Sequence, residues 1–398
     1  MTETYKTPTR ILHVIGGMSR GGPETWLMHI LRHIDRQRFQ MDFVVHTTEK
    51  CSYDQEVQAL GGRIIPCCKP HNPFIYARDF KRILQEHGPY DVVHSHVQYF
   101  SGFVLRLAYQ AGVPVRVAHN HTPSYHLIDA VSQKKQGLWR RCYIFLMRRW
   151  IKRYTTVGLV VNKNGGPDMF GTDWQTDPRW RIHYCAIDLA PFRAVVDPQA
   201  VRRDLGIPPG AFVVGNVSRF FKKKNHPFML EIVRVLAQQE PKVHLLLVGD
   251  GPELLDIKRK VAIEGLTDLV TFAGSRSDVP NLLLGAMDVF LFPSDWGEGL
   301  PLVLMEAQAA RLPSVISSYI TQEADVIDHL IRRVPLSRPP SAWAEEVLAA
   351  RNSLLGLTQP EALKIMEQSP FNILRSMQML HDIYLKELAQ GPRFLMAV

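Results

Sequence analysis

The sequence predicts an α/β chain built from two doubly wound domains, and three observations carry that expectation. Short β-rich runs alternate with helical segments from the start. Those runs are apolar along their length, as parallel strands covered on both faces require. The alternation then restarts past the midpoint, and 398 residues are too many for one core.

Taken in order, the first half reads ILHVIG (11–16), a helix over 24–33, MDFVVH (41–46), a helix near 54–60 and RIIPC (63–67). A helix near 75–87, DVVHSH (91–96) and VRVAHNH (115–121) follow. The second half reads AFVVGNVS (211–218), a helix near 226–239, VHLLLVGD (243–250), a helix over 252–264 and VTFAG (270–274). It closes with DVFLFPS (288–294), a helix after Pro301 and SVIS (314–317). Prolines 191, 198, 208 and 209 mark the passage between the halves. The expected domains are therefore 1–190 and 191–370, with an amphipathic helix in 371–398 packing at the hinge or back on the first domain. In open parallel sheets ligands bind beyond the carboxyl ends of the strands, so the two domains are expected to face each other across a cleft.

Bulk composition excludes several classes. No apolar run approaches the roughly 18 residues of a spanning helix, and the N-terminus lacks the order of a signal peptide, so a cytoplasmic protein is expected. Five cysteines without a C-x-x-C pair indicate neither a disulfide framework nor a zinc site. The net charge of +9 favours acidic partners: phosphates, anionic lipid or nucleic acid. No nucleic-acid-binding motif accompanies it, so nucleic acid is set aside.

The loop after the first strand, GGMSRGGPETW, is neither a dinucleotide fingerprint nor a P-loop, since the spacing fails and Pro23 stands where lysine would be. Gly16, Gly17, Gly21 and Gly22 leave a loop able to approach an anion closely, or a plain strand-to-helix turn. In SRFFKKKNHP, Arg219 and Lys224 sit beyond a strand end, where a guanidinium fork can grip phosphate oxygens; Lys222 and Lys223 read as solvated. The segment SDWGEGLPLVLMEAQAARLP sets Glu306 in a nearly all-apolar helix. An unpaired carboxylate there needs a cation or a donor that the chain does not supply. With Pro301 as first helical residue, the amides from Gly299 to Leu302 suit a diphosphate, and Glu306 suits a vicinal diol such as ribose.

These residues resemble the family 4 glycosyltransferases. EGLPLVLME matches that family's E-x7-E motif. VGNVSRFFKKKNH, LLLVGDGPE, VTFAGSRSDVPNLL, AMDVFLFPSDWGEGLP, DVVHSH and GGMSRGGPE fall in the family's order across most of the chain. The likeness is to bacterial members that build exopolysaccharide or capsule. It implies a GT-B fold of two Rossmann-like domains. The activity implied is retaining transfer from a nucleotide sugar, taken as a uridine-diphosphate sugar, to a saccharide or lipid-linked acceptor. Carried over by position, Glu306 binds ribose, Glu298 the donor sugar, Arg219 and Lys224 the diphosphate, and Gly274, Ser275 and Arg276 the base. Gly299, Leu300 and Pro301 supply the helix start, Gly21 and Gly22 the glycine loop, and His96 the active-site histidine. His94 reads as a packed core residue; His121 is expected to face the cleft, on the same strand face as His119.

No Asp-x-Asp pair accompanies these loops, so no metal and no cofactor beyond the donor is expected, and the chain reads as a metal-independent hexosyl- or N-acetylhexosaminyltransferase. Two departures from the family, CAID (185–188) and GLVVNKNGGPDMFG, bear on hinge and acceptor contacts. A nucleotide-sugar epimerase of the same fold should lack E-x7-E, and a non-catalytic binding relative should have lost a donor residue; neither mark is present. Lys134 to Arg153 holds eight Lys or Arg and no acid among four aromatics. It suits an anionic membrane surface, or equally a solvated face over a buried aromatic side.

Overall fold

The structure, a computed structural model, describes residues 7–67, 71–121, 137–295, 298–351 and 356–391. It divides into two units, Met1–Cys185 with Ile373–Val398, and Ala186–Asn372.

The first unit holds a seven-stranded parallel sheet: β1 (Thr9–Ile15), β2 (Phe39–Val45), β3 (Ile64–Pro66), β4 (Val92–Ser95), β5 (Val115–Asn120), β6 (Val157–Val160) and β7 (Trp180–Ile182). Their spatial order is β3-β2-β1-β4-β5-β6-β7. The order reverses between β1 and β4, which makes their carboxyl ends the topological switch point. Side chains of alternate parity separate two layers. Leu12, Val14, Val93 and Ala118 join the apolar core that also takes in Tyr76, Phe80, Val104, Met147 and Ile151. The opposite parity presents His13, His94 and His119, all buried, to the other face.

The second unit repeats the plan with six parallel strands: β8 (Phe212–Val217), β9 (Val243–Val248), β10 (Val270–Gly274), β11 (Val289–Phe292), β12 (Ser314–Ser317) and β13 (Ile331–Val334). Their order is β10-β9-β8-β11-β12-β13, with the switch point at β8 and β11. β8 and β9 are buried almost throughout, which explains why they are apolar apart from Asn216 and His244.

Several expectations change. The first helix is Gly22–His33, with Gly21 as its cap, so Gly22 and Pro23 belong to its first turn rather than to the loop. Pro301 is not the first helical residue: its ψ of 110° is extended, it caps the helix Leu302–Ala309, and Leu302 begins it. Strands β6, β7 and β13 were not legible as strands. The C-terminal helix Ile373–Ala389 lies in the first unit, where Tyr384 Oη stands 2.6 Å from His94 Nδ1.

Candidate functional site

In the second unit the predicted donor residues gather at the carboxyl ends of β8, β10 and β11. Asn216, near the end of β8, donates to the Leu291 carbonyl of β11 at 2.8 Å, fixing the two strand ends beside each other. Beyond them Gly249, with φ at 141°, brings its loop so close to the Ser218 carbonyl that a Cβ would collide with it. The loop from Arg219 to Asn225 is thereby held over the sheet edge. Asn225 turns it at φ 57°, a left-handed geometry asparagine tolerates, and starts the helix His226–Gln239.

Lys224 and Glu298 meet in this edge. Nζ stands 2.7 Å from Oε1, both side chains nearly buried at 13% and 9% exposure, and the ammonium also lies over the Phe292 ring at 4.7 Å. Ser294 Oγ is 2.9 Å from Glu298 Oε1 and 3.0 Å from the Lys223 carbonyl, and donates to one of them. Burial opposes the charge on Glu298, but Lys224, Lys223 and Ser294 outweigh it and hold the carboxyl below its usual range. For Lys224 burial wins, and its pKa is lowered despite Glu298. Lys223, expected as solvated, also reaches Glu298 at 3.6 Å. Arg219 is exposed, its guanidinium over the Phe221 ring at 4.5 Å.

Glu306 sits eight residues after Glu298 in a helix whose neighbours Leu304, Met305 and Ala307 are fully buried. Among the described residues its carboxylate has no hydrogen bond or ion pair, and desolvation alone raises its pKa to about 7. The partner that the sequence demanded is not supplied by the described chain. Gly274 closes β10 at φ 67°, Ser275 is exposed, and Arg276 is engaged with Asp278 by two bonds of 2.8 and 2.7 Å. Gly299, Leu300 and Pro301 run from Glu298 to the helix; Trp296 and Gly297 of the same motif lie outside the described residues.

The first unit carries a second polar cluster. Register sets His13 of β1 opposite His94 of β4, and the strand ends add His96, His119, His121 and His183. His13 Nδ1 lies 3.0 Å from His96 Nε2, whose ring continues through Nδ1 to His121 Nε2 at 2.8 Å; His121 Nδ1 reaches Cys185 Sγ at 3.5 Å. A second row runs from Tyr384 Oη through His94 to His119 Nδ1, the last step 3.2 Å. Trp26 of the first helix meets His94, His96, His119 and His183 edge to face, and His121 at a tilt. Desolvation lowers every one of these histidines, His13 and His121 to about 3 and His183 to about 4, so the rings are neutral at pH 7. His94 is thus a core residue, while His96 and His121, singled out as functional, are members of one chain of imidazoles, His96 buried and His121 partly exposed. His13 and His183 were missed; strand parity relative to His94 was the signal for His13. Gly21 and Gly22 lie at the start of the helix that carries Trp26.

The basic segment forms the helix Leu138–Tyr154; Lys134 and Lys135 lie outside the described residues. Met147 and Ile151 enter the core and Trp150 packs on Phe103, but Leu138, Trp139 and Phe145 are 73%, 90% and 70% exposed. Most of its aromatic side is therefore not buried, against the solvated-face reading. Among the described residues no helix is long and apolar enough to cross a membrane.

Known proteins share this plan. Residues 197–351 match the family model described as "Glycosyl transferases group 1", and residues 21–159 that described as "Glycosyl transferase 4-like domain". A protein named as a glycosyltransferase, EpsF of Bacillus subtilis (strain 168), is 35% identical over 362 residues, 89% of this chain and 90% of that one. The UDP-Gal:alpha-D-GlcNAc-diphosphoundecaprenol alpha-1,3-galactosyltransferase of Escherichia coli is 25% identical over 315 residues, 74% of this chain and 75% of that one. The crystal structure of Anabaena HepE in complex with UDP and glucose superimposes with a TM-score of 0.73 at 18% identity, covering 94% of this chain and 99% of that one. That last likeness concerns the fold.

Proposed function

The chain belongs to the family 4 glycosyltransferases of the GT-B type, and on that premise we propose that it moves a sugar, with retention, from a uridine-diphosphate sugar to a lipid-linked saccharide in cell-surface polysaccharide synthesis. The observation that carries the donor half is Glu306: a half-buried carboxylate in an otherwise apolar helix, without a hydrogen-bond or ion-pair partner among the described residues, in the unit that also holds Lys224 and Arg219. A ribose diol would satisfy it with two hydrogen bonds, and the two cations would meet the diphosphate. Support for uridine and for a lipid diphosphate acceptor comes from the Escherichia coli relative's name, and for uridine also from the ligand of HepE.

Cleaving the sugar–phosphate bond builds negative charge on the leaving phosphate, and Lys224, Arg219 and the helix start at Leu302 are the groups proposed to stabilise it. Glu298 is proposed to contact the donor sugar; His96, expected as the active-site histidine, has its two ring nitrogens engaged by His13 and His121 and is given a positioning role rather than a contact with the transferred sugar. We propose further that no metal acts on the diphosphate and that the transferred sugar is a hexose or an N-acetylhexosamine. The exposed Leu138, Trp139 and Phe145 on a helix rich in arginine favour contact with an anionic membrane surface, where a lipid-linked acceptor would be met. The test is a thermal-shift screen of nucleoside diphosphates, followed by hydrolysis and transfer assays with the matching sugars. Uridine diphosphate should raise the melting temperature most; equal shifts with every base remove the uridine assignment, and no shift with any removes the donor site.

A further inference from the structure

The histidine cluster of the first unit holds more than a packing solution. One ring nitrogen from each of His96, His119 and His121 lies within 4.8 Å of the others. Each of these rings has its other nitrogen held from outside the trio: His96 Nε2 by His13, His121 Nδ1 by Cys185, and His119 Nδ1 by His94, which is itself held by Tyr384. Metal-ligating histidines have this arrangement, in which the outer N–H is donated to a fixed partner and the inner lone pair is left for the ion. The nitrogens that remain are His96 Nδ1 and His121 Nε2, which share one proton across 2.8 Å, and His119 Nε2, which is buried without any hydrogen-bond partner.

A buried imidazole nitrogen with no partner has lost its water and gained nothing in exchange, so His119 Nε2 marks an atom whose use the chain alone does not explain. The neighbouring trio of His13, His94 and His96 also has nitrogens within 4.8 Å of one another. It is the poorer site, because both nitrogens of His94 are already engaged, by Tyr384 and His119.

We propose that His96, His119 and His121 form a binding site for a divalent transition-metal ion of the zinc class, which takes the inner nitrogens of His96 and His121 and the unpartnered nitrogen of His119, while the proton between His96 and His121 passes to an outer ring nitrogen so that both rings stay neutral. Imidazole suits zinc, copper, nickel and iron, and three such ligands leave a fourth position open. Tetrahedral ligands at about 2.0–2.1 Å from zinc stand about 3.4 Å apart, so the 2.8 Å pair of His96 and His121 has to open to admit the ion. His121, partly exposed at the end of its strand, gives the route of entry. Cys185 Sγ beside it, and Glu24, whose carboxylate acts on Cys185 through space, are the nearest sources of negative field.

The experiment uses the untagged full chain, stripped with a chelator and titrated with Co2+, then with Zn2+. Binding is read from the ligand-field absorption of cobalt and from the metal retained after desalting. One equivalent of Co2+ with tetrahedral-type bands, displaced by Zn2+, is expected. His119→Asn and His121→Asn keep a polar group for the outer partner and remove the inner nitrogen, and each should weaken binding tenfold or more. His183→Gln, on the same face but outside the trio, should leave it unchanged. If His119→Asn does not fold by circular dichroism, His121→Asn, at the partly exposed position after its strand, carries the comparison. Failure to retain either metal at one equivalent, or unchanged affinity in the folded asparagine variants, overturns the site.

Discussion

Lys224 Nζ and Glu298 Oε1, 74 positions apart in sequence, form a 2.7 Å ion pair at the edge of the second sheet, with both side chains nearly out of solvent. The pair joins the residue assigned to the diphosphate to the one assigned to the sugar. Removing one partner leaves the other charge buried, which costs about 3–5 kcal/mol in such settings. Lys224→Met should therefore destabilise the chain by about that much, and Glu298→Gln in the same chain should recover much of the loss. A double-mutant cycle by denaturant unfolding reads the coupling. Additive losses would mean that the two side chains do not act as a pair.

Glu306 predicts a pH dependence. Its pKa in the folded chain is raised from 4.5 to about 7 by desolvation. The folded state thus holds a proton that the unfolded state releases, and the carboxyl's contribution is complete below pH 4.5 and lost as pH rises through about 7. The loss amounts to about 3 kcal/mol at most. Glu306→Gln, which cannot ionise, should match the unaltered chain near pH 4.5 and exceed its melting temperature at pH 8. A difference that stays constant over that range would show that Glu306 is not desolvated in solution.

Much of the donor site was legible because it is local in the chain. Glu298, Pro301 and Glu306 lie in one short motif, and the strand-loop-helix rhythm places Arg219 and Gly274 at strand ends. What was not legible depends on register or on long separation. The Lys224–Glu298 pair needs β8 beside β11, and the histidine cluster needs His13 set opposite His94 across parallel neighbours. β6, β7 and β13 escaped because they are four, three and four residues long, and the last two carry Arg181, Arg332 and Arg333 among few apolar side chains. Pro301 was set one residue too far into its helix, a boundary that composition does not resolve.

The helix Leu138–Tyr154 should bring the chain to anionic vesicles and release it as salt rises. Arg148 donates to the Pro167 carbonyl at 3.1 Å and serves the fold, so charge reversal belongs at Arg140, Arg141 and Arg149. That triple variant should lose cosedimentation, and Trp139→Ala with Phe145→Ala should weaken it at fixed charge. Equal sedimentation of all forms, or none by the unaltered chain, would return the helix to a solvated face.

The two glutamates should separate in their effects on the nucleotide and on turnover. Glu306→Gln keeps one acceptor and loses the charge proposed to hold the ribose diol, so uridine diphosphate alone should bind about 1–3 kcal/mol more weakly. Glu298→Gln acts on the other side of Lys224. With its carboxylate gone, the ammonium 2.7 Å away loses its partner and is freer to meet a diphosphate. The bare nucleotide should therefore bind as well as before, or more tightly. Turnover should nevertheless fall, because the contact proposed for Glu298 is to a sugar that becomes cationic in the transition state, and an amide stabilises that charge less. Calorimetric titration of both variants with uridine diphosphate, beside transfer rates with the preferred donor, decides the matter. If Glu298→Gln weakens the nucleotide as much as Glu306→Gln does, both glutamates serve the nucleotide and the proposed division between ribose and sugar is wrong.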